Sequence, residues 1–327
     1  MFREANCCTP LTLPLIAGGK TGAADRHLGL ADSLGVVSCP RIRANVRCEL
    51  QLRRAGGTIA LAVLCVFSAG ASFAQSQVDT IIQRSVEANE RDWAADPQYS
   101  FFERDVQDGG TKTNQVMMID GSPYYRLVAI NNKPLSKEDQ AREERKLQQV
   151  TAERRKETPR QRAQRIARYE KERKNNHAMM EQLTKAFNFT LEREDQLASR
   201  AVYVLQARPR PGYVPPTLQT RVLTGMEGKL WIDKQTYQWV KVEAHVIHPV
   251  SIEGFLARVE PGTQFELEKM PVADGVWLPK HFAMRAHARI LGMFSHHEEE
   301  DETYWGYQKG APAPVTEAIQ QLPNNGK

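Results

Sequence analysis

The feature that most restricts the fold of this chain is an apolar/polar alternation with a period of two residues, which returns in segment after segment. In "TYQWVKVEAHVI" one side of an extended chain carries Tyr237, Trp239, Lys241, Glu243 and His245, and the other Val240, Val242, Ala244 and Val246. In "HFAMRAHARI" Phe282, Met284, Ala286, Ala288 and Ile290 face one way, while His281, Arg285, His287 and Arg289 face the other. Period two with one apolar side is the pattern of a sheet covered on one face only. Further strands are expected at 99–107, 113–120, 123–130, 187–195, 200–210 and 298–308, the first three separated by the glycine-bearing reversals "DGG" and "DGS". A sheet of this length has to cover its apolar face or curl around it.

Two stretches break the pattern. Before the first strand, "SQVDTIIQRSVEANERDWAA" places Val78, Ile81, Ile82, Val86 and Trp93 near one helical face, with Asp96-Pro97 as the stop. After the third strand, 136–187 turns densely charged. Ser136 with Asp139 reads as a helix cap, and Thr158-Pro159 as a second start with proline in the first turn. Two helices are predicted, about 136–157 and 159–186, as an insertion lying over the sheet. Its opposite charges are mixed rather than blocked, which favours a solvated surface over a basic docking arm.

The start of the chain speaks to compartment. Arg53-Arg54, an apolar run from Ile59 to Phe67 and the small-x-small triplet Ser72-Phe73-Ala74 form the three parts of a secretory signal, with cleavage expected after Ala74. Residues 1–50 then read as a spurious or disordered extension, 51–74 as the signal, and 75–327 as one domain. All five cysteines, the last being Cys65, precede the expected cleavage point, so the mature chain has no thiol for a disulfide or a metal–thiolate site. The bulky Leu64 before Cys65 argues against lipidation. Of 44 Lys+Arg and 39 Asp+Glu, 8 and 4 fall in residues 1–74, which leaves a mature charge near +1 and no electrostatic case for nucleic acid. A periplasmic protein without a stable membrane span is expected.

Little in the chain points to chemistry. His281, His287, His296 and His297 could meet across a hairpin, but they lack a metal-site spacing and are interleaved with arginines. The acid run Glu298–Glu302 reads as a solvated edge strand protected by charge. There is no G-x-S-x-G motif and no cysteine nucleophile in the mature chain. No catalytic residue, metal or cofactor is assigned.

The segments "GMEGKLWIDKQTYQWVKVEA", "PGTQFELEKMPVADGVWLPKHFAMRAHARI" and "YWGYQ" resemble the second half of outer-membrane lipoprotein-sorting proteins. Their wider group is the LolA/LolB-like superfamily, which includes the periplasmic regulator RseB. The resemblance spans roughly 76–130 and 187–308, carried by a G-x-(L/V)-W-I-D strand, a V-x-V-E-A strand and G-V-W-L-P. It implies a mainly β protein with helices: a curved antiparallel sheet forming an open half β-barrel over helices, here with the charged helical insertion. It also implies a non-enzymatic protein that holds a lipoprotein acyl chain or lipid in an apolar cavity. The alternative it implies is an envelope-stress sensor of RseB type, whose insertion meets another envelope protein. The aromatics Trp231, Trp239, Phe255, Phe265, Trp277, Phe282 and Phe294 allow a large apolar interior. Trp231, Val240, Val242, Phe255, Phe265, Trp277, Phe282, Met284 and Ile290 are the expected lining.

Overall fold

A computed structural model of the chain describes residues 60–107, 110–252, 257–291 and 293–321. The expectations for residues 1–59 and for Phe255 therefore lie outside the described residues. Helix α1 runs from Ala60 to Ala95 and closes in a 3-10 turn, Asp96–Gln98, with its proline early in the turn. The buried stripe of α1 is Val78, Ile81, Ile82, Ser85, Ala88, Asn89 and Asp92, so it begins apolar and ends polar. That spacing of three and four residues is one face of a helix. Trp93 lies beside this stripe, stacked on His177 at 4.4 Å and capped by the Arg173 guanidinium at 4.5 Å.

Strands β1 (Tyr99–Gln107), β2 (Gly110–Ile119) and β3 (Ser122–Ile130) follow, with a two-residue β4 (Lys133–Pro134). The insertion is two helices, α2 (Lys137–Lys156) and α3 (Pro159–Ala186). The Ser136 hydroxyl accepts from the Asp139 amide, and Thr158 and Gln161 cap each other's backbone at the start of α3. Arg154 ties the insertion to the sheet, donating to the carbonyls of Ile119, Ser122 and Pro123, while Arg165 donates to the Ser122 hydroxyl and pairs with Glu157.

The chain resumes with β5 (Phe187–Leu197), β6 (Arg200–Pro209), a 3-10 helix over Gln219–Gly225, β7 (Met226–Asp233) and β8 (Trp239–Val246). Next come the short β9 (Val250–Ser251) and β10 (Ala257–Val259), then β11 (Gln264–Pro271), β12 (Trp277–Ile290) and β13 (Phe294–Lys309), and a short helix α4 (Val315–Gln320). All strand pairs are antiparallel in one 13-stranded sheet, ordered β4-β3-β2-β1-β13-β12-β11-β8-β7-β6-β5, with β9 and β10 off this path. The two ends of that order do not meet, so the sheet is open.

It is nonetheless strongly bent. Val116 on β2 and Phe189 on β5, close to opposite ends of the order, belong to one buried core. Val78, Ile81 and Ile82 of α1 and Met179 and Ala186 of α3 complete that core. A sheet whose far strands share a core with the same two helices is wrapped around them, as an open barrel-like fold requires.

One expectation changes in part. Asp301 and Glu302 of the acid run lie between β12 and β1, with Asp105↔Glu302 in register, whereas Glu298–Glu300 pair with β12 alone among the described residues. The tail after β13 is held down in part, since Gln115 Nε2 donates to the Ala313 carbonyl at 2.7 Å. Ala313 is buried there with Phe102 and Val128 on the outer face of the sheet.

Candidate functional site

Two faces of the sheet have to be told apart before a site can be drawn. On β6 and β7, Leu205 pairs with Leu230 and Ala207 with Gly228, all within or against the main core. The adjacent row, Val204↔Trp231, points to the other face. There Val202, Val204, Val240 and Trp277 form a separate buried cluster, with Trp231 packed against it. Lys241 Nζ lies 5.9 Å from the Trp231 ring and the Arg200 guanidinium 4.7 Å from that of Trp277.

Val240 changes side because of a β-bulge. Trp231 pairs with Lys241 but Ile232 pairs with Trp239, so Val240 is the extra residue in β8. An extra residue shifts the alternation by one. Trp239 therefore joins Val242, Ala244 and Val246 inside, contrary to the uninterrupted alternation read from the sequence.

The inner face encloses an apolar cavity of about 80 Å³. Its walls are Phe187 and Phe189 of β5, Ala207 of β6, Met226 and Leu230 of β7, Trp239, Val242 and Ala244 of β8, Phe265 and Leu267 of β11, and Phe282 of β12. Gly228 also lines it, where a Cβ would come within 2.5 Å of the Glu243 carbonyl oxygen, so only glycine permits this approach of β7 to β8. Met179, Met180 and Leu183 of α3, with Val222 and Leu223 of the 3-10 helix, close the space over the sheet. The Trp239 indole Nε1 is buried and has no hydrogen-bond partner among the described residues. A buried donor of this kind is uncommon in a native fold.

Of the sequence-derived lining, Val242, Phe265 and Phe282 meet at this cavity. Met284 is in the same core but not at the cavity wall. Trp231, Val240 and Trp277 are on the opposite face, for the reasons of register given above. Ile290 pairs with Phe294 at the far end of β12, and Phe294 is exposed rather than interior. The residues missed were those of β5, α3 and the 3-10 helix, and Ala207, Met226, Leu230, Trp239, Ala244 and Leu267 within the sheet. The signal for α3 and β5 was the apolar end of an otherwise charged helix, Met179-Met180 and Leu183, followed by Phe187 and Phe189.

The same inner face is polar elsewhere. Glu103 and Asp105 of β1 and Glu302 of β13 are all buried, with Glu302 paired in register to Asp105 on one side and Phe282 on the other. The Tyr304 hydroxyl donates to the Glu302 carboxylate. Burial, then the neighbouring Glu103 charge, push the Glu302 carboxyl up to about 9. Burial also raises Asp105, against the opposing pull of Lys112. A second buried polar group fixes α1: Asp92 accepts from Lys269 Nζ at 2.6 Å, Gln238 Nε2 at 3.0 Å and the Trp277 amide at 3.0 Å. Burial lowers Lys269 despite this partner. Among the described residues, no group of three or more His, Cys, Asp or Glu is placed to hold a metal ion. His281 faces Asp301, and His287 meets His297 edge-on at 4.6 Å.

No protein-family model matches the sequence. No curated protein matches it either. Among solved structures, a LolA superfamily protein from Nitrosomonas europaea is 13% identical and covers 73% of this chain and 95% of its own, with a TM-score of 0.28. A domain named for outer membrane lipoprotein sorting, from Vibrio parahaemolyticus, is 11% identical over 73% and 98%, with a TM-score of 0.29. The MucA/MucB complex of Pseudomonas aeruginosa is 10% identical over 69% and 99%, with a TM-score of 0.19. At these scores the likenesses carry no argument about what the chain binds.

Proposed function

We propose that this protein is an exported, non-enzymatic carrier that holds a hydrophobic chain, the acyl chain of a lipoprotein or a lipid, between the inner face of β5–β12 and the apolar end of α3. The observation that carries this reading is the cavity itself: an interior lined by Phe, Met, Leu, Val and Trp and roofed by three flexible or aliphatic side chains of one helix. A cavity of about 80 Å³ takes only a short hydrocarbon segment. Longer chains enter as Met179, Met180 and Leu183 move aside, which unbranched methionines do at little cost. Transfer of each methylene from water contributes about 0.8 kcal/mol, so roughly ten of them give micromolar binding. Export through the leader, with cleavage after Ala74, and residence in the periplasm belong to the same reading; Edman sequencing of the mature protein that starts anywhere but Gln75 would move the boundary.

The binding test is a titration of delipidated full-length protein with a fluorescent fatty acid. Saturable uptake with a blue-shifted, enhanced emission is expected. Well-folded protein that leaves the probe in water would remove the carrier reading.

A further inference from the structure

Away from the cavity, β12 and β13 continue past β1 as a hairpin ribbon, bordered on the β12 side by β10 at Ala288–Ile290. β1 pairs with β13 only from Asp301 to Lys309, and Phe294–Glu300 of β13 have β12 as their sole strand neighbour among the described residues. At the end of this ribbon Leu291, Met293 and Phe294 are 48%, 78% and 60% exposed. These are three of the six large apolar side chains exposed among the described residues, and the other three, Ile130, Val214 and Leu218, belong to other segments. Clustering at one hairpin turn, unlike scattered exposure, marks an interaction site.

The rows behind the tip carry arginine and histidine. Ile290↔Phe294 is followed by Arg289↔Ser295, Ala288↔His296 and His287↔His297, and Arg258 of β10 pairs in register with Arg289. Acids enter further back or at the flank: Glu298 opposite Ala286, 3.8 Å from His296, and Glu260, 3.6 Å from Arg289. An apolar end with a basic collar matches the two layers of a membrane surface, where hydrocarbon lies beneath anionic phosphates. A protein partner would need an apolar socket with an acidic rim; a bilayer supplies both layers everywhere.

We propose that the tip of the β12–β13 hairpin seats Leu291, Met293 and Phe294 in the interfacial zone of an anionic lipid bilayer, with Arg258 and Arg289 against the lipid phosphates. Binding of this kind is peripheral, and β12 ends beside it at Ile290, eight residues or roughly 26 Å from Phe282 of the cavity. Docking would thus hold the cavity at a fixed height above the membrane.

The test is co-sedimentation of the full-length protein with vesicles of phosphatidylcholine alone and of an equal mixture with phosphatidylglycerol. Binding is expected on the mixed vesicles, about tenfold weaker without the anionic lipid, and weakened about tenfold by Met293→Ser with Phe294→Ser. Arg258→Glu with Arg289→Glu is expected to erase the preference for anionic lipid. These side chains are exposed, so the serine pair should keep the wild-type denaturation midpoint and fatty acid uptake. Equal binding to both vesicle types, undiminished binding by the serine pair, or a tip that mediates only self-association in sedimentation velocity would each overturn the proposal. If Val242→Trp, which fills the cavity, abolishes vesicle binding while the serine pair retains it, lipid is being drawn into the cavity and the tip is not the contact.

Discussion

The two halves of the inner face are built on one backbone plan and differ in what points inward. Along β5, β7, β8, β11 and β12 the inward positions are Phe189, Leu230, Val242, Phe265 and Phe282; along β1 and β13 they include Glu103, Asp105 and Glu302. Phe282 and Glu302 are direct neighbours in register, so the boundary between the halves runs between β12 and β13. The cavity lies on the apolar side. Alternation makes the sheet, but side-chain chemistry at the inward positions decides which part of it can receive a hydrocarbon.

Carrying acid across that boundary is the harshest way to break the contrast. Leu230→Glu puts an unpaired carboxylate in the middle of the apolar wall and is expected to lower stability by about 3–5 kcal/mol at neutral pH, read as the urea midpoint. Removing acid from the other side sharpens the contrast and should do the opposite. The folded chain keeps the Glu302 proton up to about pH 9, whereas the unfolded chain releases it above the ordinary value of 4.5. The stability this group contributes is therefore full below about pH 4.5 and is lost as pH rises towards 9. Glu302→Gln is expected to flatten that slope, with little change at pH 4 and a gain on the order of 3 kcal/mol at pH 8. An unchanged slope in the variant would mean that Glu302 is not held protonated.

Steric changes give smaller effects on stability and direct ones on uptake. Val242→Trp fills the cavity and should cost about 1–3 kcal/mol, while lowering fatty acid affinity at least tenfold. Thr158→Ala removes the reciprocal cap of α3 and should cost about 1 kcal/mol, leaving uptake within a factor of two if only the start of the helix frays. The exposed pair Arg285/Glu299, 3.6 Å apart, should change stability by less than about 0.5 kcal/mol when either is replaced by alanine.

How much of this was legible depended on whether the determinant was local. Ser136 and Thr158-Pro159 announced α2 and α3 because a cap acts on amides within three residues. Phe282, Met284 and Ala286 were assigned to one face correctly because no residue is inserted between them. Val240 and Trp239 exchanged faces through a single bulge, which leaves no mark in composition. Trp231 and Trp277 misled because a tryptophan suits either side of a sheet when the outer side has its own buried cluster. The place of β13 beside β1 joins Tyr99 to Lys309 across most of the described chain, and no local pattern encodes such a pairing. Hence the acids of β13 read as an edge when Glu302 is interior.

The most direct test of the carrier account is calorimetric titration of delipidated protein with fatty acids of increasing chain length. The account predicts affinity rising about threefold to fourfold per added methylene until the chain outgrows the space under α3, with the rise abolished in Val242→Trp. Affinity independent of chain length, or the same rise in Val242→Trp, would contradict it.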